Sequence, residues 1–277
     1  NIMKNLSDNI IQPSVEADNV NGRINRKLIK NIFFIDIDRP KKLNGFTPFM
    51  FSELAKAFTE YEKNTNALCA ILFTSGKNFC AGMDLNQMSK YIMNGDNSYI
   101  NYKKKYVDPL GLRKPIRTKP LIVLTKGITF TYGLELMLAA DIAISSNDTR
   151  FAMLEAQRGL LMTGGATIRF VDRAGWGNAM KYLLTGSEFN SKDALKMNLI
   201  QEITTSKELL KKGVEAAERI CRSSPLAVKE IIKNARIAQE SKSSAISQFD
   251  KIQNYLGKQD DFKKGLESFI NKKPAKF

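Results

Sequence analysis

Apolar and polar positions along this chain follow two periods, one of strands and one of helices. From Leu28, the stretch KLIKNIFFIDIDRP is dense in β-branched and aromatic residues and stops at Arg39-Pro40, which predicts a strand ending in a turn. In TPFMFSELAKAFTEYEKN, Phe51, Leu54, Phe58 and Tyr61 recur at helical spacing, Thr47 can cap the helix, and Pro48 suits its first position. Ala67 to Ser75 (ALCAILFTS) reads as an apolar strand, and a loop marked by glycines, GKNFCAGMDL, follows it. LIVLTKG predicts the next strand, and YGLELMLAADI a buried helix that runs into the strand DIAISS. RFAML is another strand, and Gly164-Gly165 opens a helix toward Arg173. This alternation argues for an α/β or mixed α+β core.

The two ends and one internal stretch break the pattern. Residues 1–27 are polar and Asn-rich and read as a partly flexible extension. Residues 86–118 are polar, basic and punctuated by Asn94-Gly95, Pro109, Gly111 and Pro115, which suits a mobile rim around a site. From Ser206 onward the chain is almost wholly helical, with ELLKKGVEAAERIC, PLAVKEIIKNARIAQ and helices near Phe249 and Phe262. The expected organisation is therefore an extension over 1–27, a core over 28–222, and a helical segment over 223–277 that packs on the core or on a neighbouring subunit.

Composition narrows the function classes. The 277 residues are 43% hydrophobic. They contain no apolar run of the roughly 20 residues that a membrane helix needs. The opening NIM lacks the pattern of a secretion signal, and Cys69, Cys80 and Cys221 are odd in number and far apart, so a cytoplasmic protein without a disulfide framework is expected. The absence of histidine removes nucleophiles paired to a histidine base and zinc sites built on Cys and His, and no metal is expected. A net charge of +15 suits either a generally solvated basic surface or the steering of an anionic ligand such as coenzyme A. The charge also keeps an RNA-binding reading open, but no aromatic RNA-recognition motif is present.

One carboxylate stands out, because Glu135 lies in YGLELMLAADI, a segment otherwise made for burial. The surrounding motifs supply a context. NFCAGMDL resembles the AFCAGADL loop of the enoyl-CoA hydratase/isomerase (crotonase) family, and KPLIVLTKGITFTYGLELMLAADIAIS resembles its block around GGGxEL. RPKKLNGFT, FAMLEAQRGLLMTGGATIRF, LLTGSEFNSKDALKMNLIQEI and the closing FINKKPAKF resemble further family blocks in the same order, so the resemblance covers residues 30–277. Departures are Thr131-Tyr132-Gly133 for GGG, Leu154 for a proline, and Met162-Thr163 for Pro-Gly.

The resemblance implies a crotonase-type ββα superhelix with C-terminal helices and a homotrimer or homohexamer. It also implies an acyl-CoA thioester as substrate, with coenzyme A part of that substrate rather than a cofactor. The implied reaction is syn addition of water to a 2-enoyl-CoA, as in fatty-acid β-oxidation. Δ3-Δ2-enoyl-CoA isomerisation with a single glutamate at position 155 is the alternative, as is a non-catalytic RNA-binding homologue. Position by position, Glu135 and Glu155 match the two catalytic glutamates, and the amides of Met83 and Tyr132 match the two donors of the oxyanion hole. The donors are backbone groups, so side chains at Thr131 and Tyr132 leave them in place while altering the acyl pocket. Lys41, Lys42, Ala81, Asp84, Leu85, Phe269 and Lys273 match positions that contact coenzyme A in the family. By the same resemblance, Glu155 is the acid toward the α-carbon and Glu135 orients and activates the water; two such neighbours titrate as a coupled pair.

Overall fold

The computed structural model describes residues 20–99 and 105–277. The apolar run after Leu28 is a hairpin rather than one strand: β1 (Arg23–Ile29) and β2 (Ile32–Asp38) pair antiparallel, with Ile29 opposite Ile32. The reversal falls on Lys30-Asn31, where Lys30 adopts φ 53°, a left-handed turn without the glycine that usually marks one. Residues 23–27 thus belong to the sheet rather than to an extension, and residues 1–19 lie outside the described residues.

β3 (Cys69–Phe73), β4 (Leu121–Thr125), β6 (Ile142–Ser146) and β9 (Glu202–Thr204) continue the sheet from β2 in parallel, in the order β1-β2-β3-β4-β6-β9. The central strands β3 and β4 are buried on both faces because both are covered. Phe33, Ile35, Ile37, Ala70, Leu72, Leu121 and Val123 point to one side, against helix α1 (Pro48–Lys63) through Phe51, Leu54, Phe58 and Tyr61. Ile32, Phe34, Cys69, Ile71, Ile122 and Leu124 point to the other, against Leu209, Val214 and Ala217 of a later helix, Leu209–Cys221. A Cβ on Gly213 would lie 2.6 Å from the Leu124 side chain, so glycine sets how closely that helix approaches the sheet. Thr47 and Pro48 open α1 as expected, with Thr47 Oγ1 accepting from the Met50 N–H.

A second sheet, β5 (Ile128–Phe130), β7 (Arg150–Ala152) and β8 (Phe189–Asn190), gives the chain its winding. β4, β5 and helix α3 (Tyr132–Leu138) form one ββα turn; β6, β7 and, after a loop, helix α4 (Ala166–Ala174) form the next. β4 pairs in parallel with β6 and β5 with β7, so the two turns stack. The preceding turn is a reduced version: after β3, Cys80 alone bridges in parallel to Thr129, and helix α2 (Leu85–Met93) follows. That helix and the anchored stretch after it replace much of the expected rim: Val107 N–H donates to Thr59 Oγ1, and the Asp108 carboxylate accepts from the N–H groups of Leu110, Leu112 and Arg113.

The remaining helices are Trp176–Thr185, Ser191–Lys196, Leu209–Cys221, Pro225–Glu240, Lys242–Ile246, Phe249–Leu256 and Asp260–Asn271. The first two, and β9, have no counterpart in the sequence reading. Among the described residues no helix is long and apolar enough to cross a membrane.

The turn after β2 fastens this stack. Asn44 is buried, accepts from Arg39 N–H through Oδ1, and donates through Nδ2 to Thr74 Oγ1 and to the carbonyls of Asn78 and Phe79. Asn44→Ala leaves these groups buried without that partner, and chemical denaturation should report a loss of about 3 kcal/mol. A loss below about 1 kcal/mol would show that the turn is held by other means.

Candidate functional site

Three successive turns of the winding bring their loops to one end. Ala81 N–H donates to Leu43 O, Phe46 N–H to Gly82 O, and Asp84 N–H to Phe46 O, which fixes the 80–84 loop against the turn after β2. Because Gly82 and Asp84 supply the bonds to Phe46, the pleat turns the Met83 N–H to the opposite side. Phe130 N–H donates to Cys80 O at 2.9 Å and Thr131 N–H to Ala152 O at 2.8 Å, so the loop carrying Tyr132 lies between its two neighbours. Tyr132 is the first residue of α3, where a backbone N–H sits at the positive end of a helix.

Glycine is required where these loops touch. A Cβ on Gly82 (φ 107°) would lie 1.9 Å from Thr131 Oγ1, and one on Gly133 would lie 2.7 Å from Cys80 O. Thr131 itself adopts φ 49°, ψ −116°, a conformation suited to glycine and costly for a β-branched residue. The Tyr132 ring turns into the core, 4.8 Å from Phe46 and 4.7 Å from Phe51 between centroids, and is 6% exposed. The replacement of GGG by Thr-Tyr-Gly therefore adds an aromatic cluster behind the loop and strain within it.

The two glutamates come from the second and third turns. Glu135, on the first turn of α3, is 4% exposed, and its Oε1 accepts from Gly164 N–H at 2.7 Å and Ala166 N–H at 3.2 Å. A Cβ on Gly164 would lie 2.2 Å from Glu135 Oε2, so the Gly164-Gly165 pair both donates to the carboxylate and makes room for it. Burial, opposed by these two N–H groups and reinforced by the charge of Glu155, pushes Glu135 up to about 7. Glu155, in the loop after β7, is 7% exposed; burial raises its carboxyl, against its local N–H groups and Arg158. Its Oε2 is buried and has no hydrogen-bond partner, so this oxygen is available to a proton or a bound molecule.

The positions matched to coenzyme A contacts divide into two groups. Lys41 and Lys42 are exposed on the short turn Pro40–Lys42, whose next residue, Leu43, accepts from Ala81 N–H; Leu85 is also exposed. The Asp84 carboxylate is engaged within the protein: it receives Arg39 Nη1 at 2.7 Å and caps the Leu85–Met93 helix through Asn86 N–H. Phe269 (82% exposed) and the exposed Lys273 belong to the C-terminal helix and its tail, where Ser224 Oγ bonds Asp261, and this chain does not pack the Phe269 ring into the site. Asp141 is a structural anchor that accepts from Leu121 N–H and Arg117. Arg39, Asn44 and the amides of Gly164 and Ala166 escaped the sequence reading as site-builders; the Asn of RPKKLN and the paired glycines were the available signals.

Comparison with known proteins agrees with this architecture. The family model described as enoyl-CoA hydratase/isomerase matches residues 28–277. The enoyl-CoA hydratase EchA19 of Mycobacterium tuberculosis is 28% identical over 88% of this chain and 91% of its own. The 1,2-epoxyphenylacetyl-CoA isomerase of Escherichia coli is 25% identical over 90% and 95%. The crystal structure of a probable enoyl-CoA hydratase/isomerase from Mycobacterium abscessus superposes with a TM-score of 0.87 at 34% identity, covering 92% of this chain and 97% of the other. The stacked ββα turns are those of the crotonase fold, and the chain belongs to the enoyl-CoA hydratase/isomerase family.

Proposed function

We propose that the protein is an enoyl-CoA hydratase, adding water across the double bond of a 2-enoyl-CoA thioester. The observation that carries this reading is the pair of buried carboxyls, Glu135 and Glu155, each raised by burial and close enough for the charge of one to act on the other. Repulsion between two such groups favours a state in which one is protonated and the other ionised. Hydration uses that state: Glu135 takes a proton from water as its oxygen bonds to the β-carbon, and Glu155 gives one to the α-carbon. The two N–H bonds that fix Glu135 Oε1 leave its Oε2 to orient the water, and the unbonded Oε2 of Glu155 suits the acid. Charge developing on the thioester oxygen is met by the amides of Met83 and Tyr132. Lys41 and Lys42 suit the phosphates of coenzyme A, as does the net charge of +15. Exposed apolar residues of the last helix, Phe262, Leu266, Phe269 and Ile270, fit burial in a homotrimer or homohexamer.

Glu135→Gln and Glu155→Gln should each lower hydration of a short 2-enoyl-CoA by at least about 100-fold with KM little changed, followed as loss of absorbance of the conjugated double bond. Intact turnover in Glu135→Gln together with a dead Glu155→Gln would favour the one-glutamate isomerase.

The oxyanion assignment is separable from packing. Tyr132→Ala and Tyr132→Pro both remove the ring, proline is tolerated at the first helical position, and only proline removes the N–H. Tyr132→Pro should fall about 100-fold or more below Tyr132→Ala in kcat, while Met83→Ala keeps most activity. Equal rates for the two Tyr132 variants would place the donor elsewhere.

Glu135 also sets a pH dependence of stability. Its folded value of about 7 lies above the ordinary 4.5, so its contribution is fully present below about 4.5 and is lost as pH rises through 7. Glu135→Gln should therefore gain stability relative to wild type between pH 5 and pH 8, read as unfolding midpoints at both; a constant difference would show that Glu135 ionises normally.

A further inference from the structure

Behind the C-terminal end of α3, away from the loops that hold Glu155 and Met83, lies a cleft of about 300 Å³. Four guanidinium groups line it, and they come from separate parts of the chain: Arg117 ahead of β4, Arg169 and Arg173 one helical turn apart on α4, and Arg236 from the Pro225–Glu240 helix. Asp141 is the one carboxylate among the lining residues, and it is bound to Arg117 at 2.6 Å with Arg236 Nη2 at 3.9 Å.

The other guanidinium bonds go to neutral carbonyls. Arg169 Nη2 donates to Leu110 O, Arg173 Nη2 to Leu138 O at 2.8 Å, and Arg236 Nη1 to Arg117 O. Carbonyls satisfy donors without cancelling charge, so four cations face one anion in a partly buried space. Further out, Asp108 and Glu135 lie within reach of the charge on Arg169, Asp172 of Arg173 and Glu62 of Arg236, but none of these carboxylates lines the cleft. Burial, and then Arg173, push Arg169 down to about 10, which reflects the same crowding. Arg169 Nη1 is buried and lacks any hydrogen-bond partner. That atom lies toward Gly165 and Leu112 rather than in the cleft, so it is the uncompensated charge of the four lining guanidiniums that calls for an acceptor there.

We propose that this cleft binds a phosphate group, whose negative charges and several acceptor oxygens match four convergent guanidiniums that face a single carboxylate. Arginine forks favour phosphate because they can donate two parallel bonds to it. The inference does not rest on the proposed reaction, and its failure would leave the roles of Glu135 and Glu155 untouched.

Isothermal titration of the full chain at constant ionic strength tests it, with inorganic phosphate, adenosine 5′-monophosphate and succinate as probes. Saturable binding of phosphate should weaken about tenfold in Arg236→Gln, the loss expected for one charge-assisted bond, and should tighten in Asp141→Asn, which removes the competing carboxylate. Unfolding midpoints for both variants guard against misfolding, and Arg236→Gln alone decides if Asp141→Asn does not fold. Binding of the nucleotide without free phosphate, weakened in Arg236→Gln, would support the site and identify a phosphorylated metabolite as the source; nucleotide binding that Arg236→Gln leaves unchanged belongs to the coenzyme A site and would overturn the proposal. No saturable binding of either, succinate binding tighter than phosphate, or unchanged affinity in Arg236→Gln would overturn the proposal.

Discussion

The short parallel contacts between neighbouring turns of the winding organise everything at the candidate site. Phe130 N–H to Cys80 O and Thr131 N–H to Ala152 O are ordinary backbone bonds, worth about 1 kcal/mol each in net stability. Their larger effect is positional. They set the 80–84 loop, the start of α3 and the loop after β7 side by side, although these segments are separated by some 50 and 20 residues of sequence. The approach is close enough that a side chain at Gly82 or Gly133 would collide with the adjacent turn. The glycines of the motif are therefore consequences of the stacking, and any backbone donor on one loop is held at a fixed offset from the next.

Within that frame Glu135 is an unfavourable residue to bury, and the structure compensates it only in part. Two N–H groups favour its ionised form, while burial and Glu155 oppose it. An apolar residue at 135 would remove the conflict and would leave the Gly164 and Ala166 N–H groups without their acceptor. Glu155 repeats the pattern with less support, since one of its oxygens has no partner. Stability alone disfavours both carboxyls, and the proposed proton transfers, from water to Glu135 and from Glu155 to substrate, would give a reason for their presence.

Much of this was legible in the sequence because it rests on short-range rules. The Thr47-Pro48 start of α1, the fully apolar β3 and β4, and the buried helix around Glu135 each follow from capping, alternation or periodicity confined to one segment. The β1–β2 reversal was not legible, since Lys30 takes a left-handed conformation that its residue type does not signal. Nor was the partner of Asp84, because Arg39 is distant in sequence and the pair is made only when the first turn folds onto the 80–84 loop. The two glutamates became candidates through the resemblance of their motifs, which also implied their coupling; what the sequence could not give was the pair of N–H groups, from Gly164 and Ala166, that holds Glu135.

The Thr-Tyr-Gly loop shows how such a site changes without losing its frame. Gly133 is kept where Cys80 leaves no space, whereas the Thr131 side chain occupies the place that Gly82 leaves open and the Tyr132 ring packs on Phe46. Thr131 bears the cost as backbone strain. Tyr132 offsets it through aromatic contacts with Phe46 and Phe51, and Phe46 is the residue whose backbone holds the 80–84 loop on either side of Met83. Packing of the second loop's side chain thus supports the first loop's backbone, so this chain has replaced the flexibility of three glycines by a direct link between the two candidate donors.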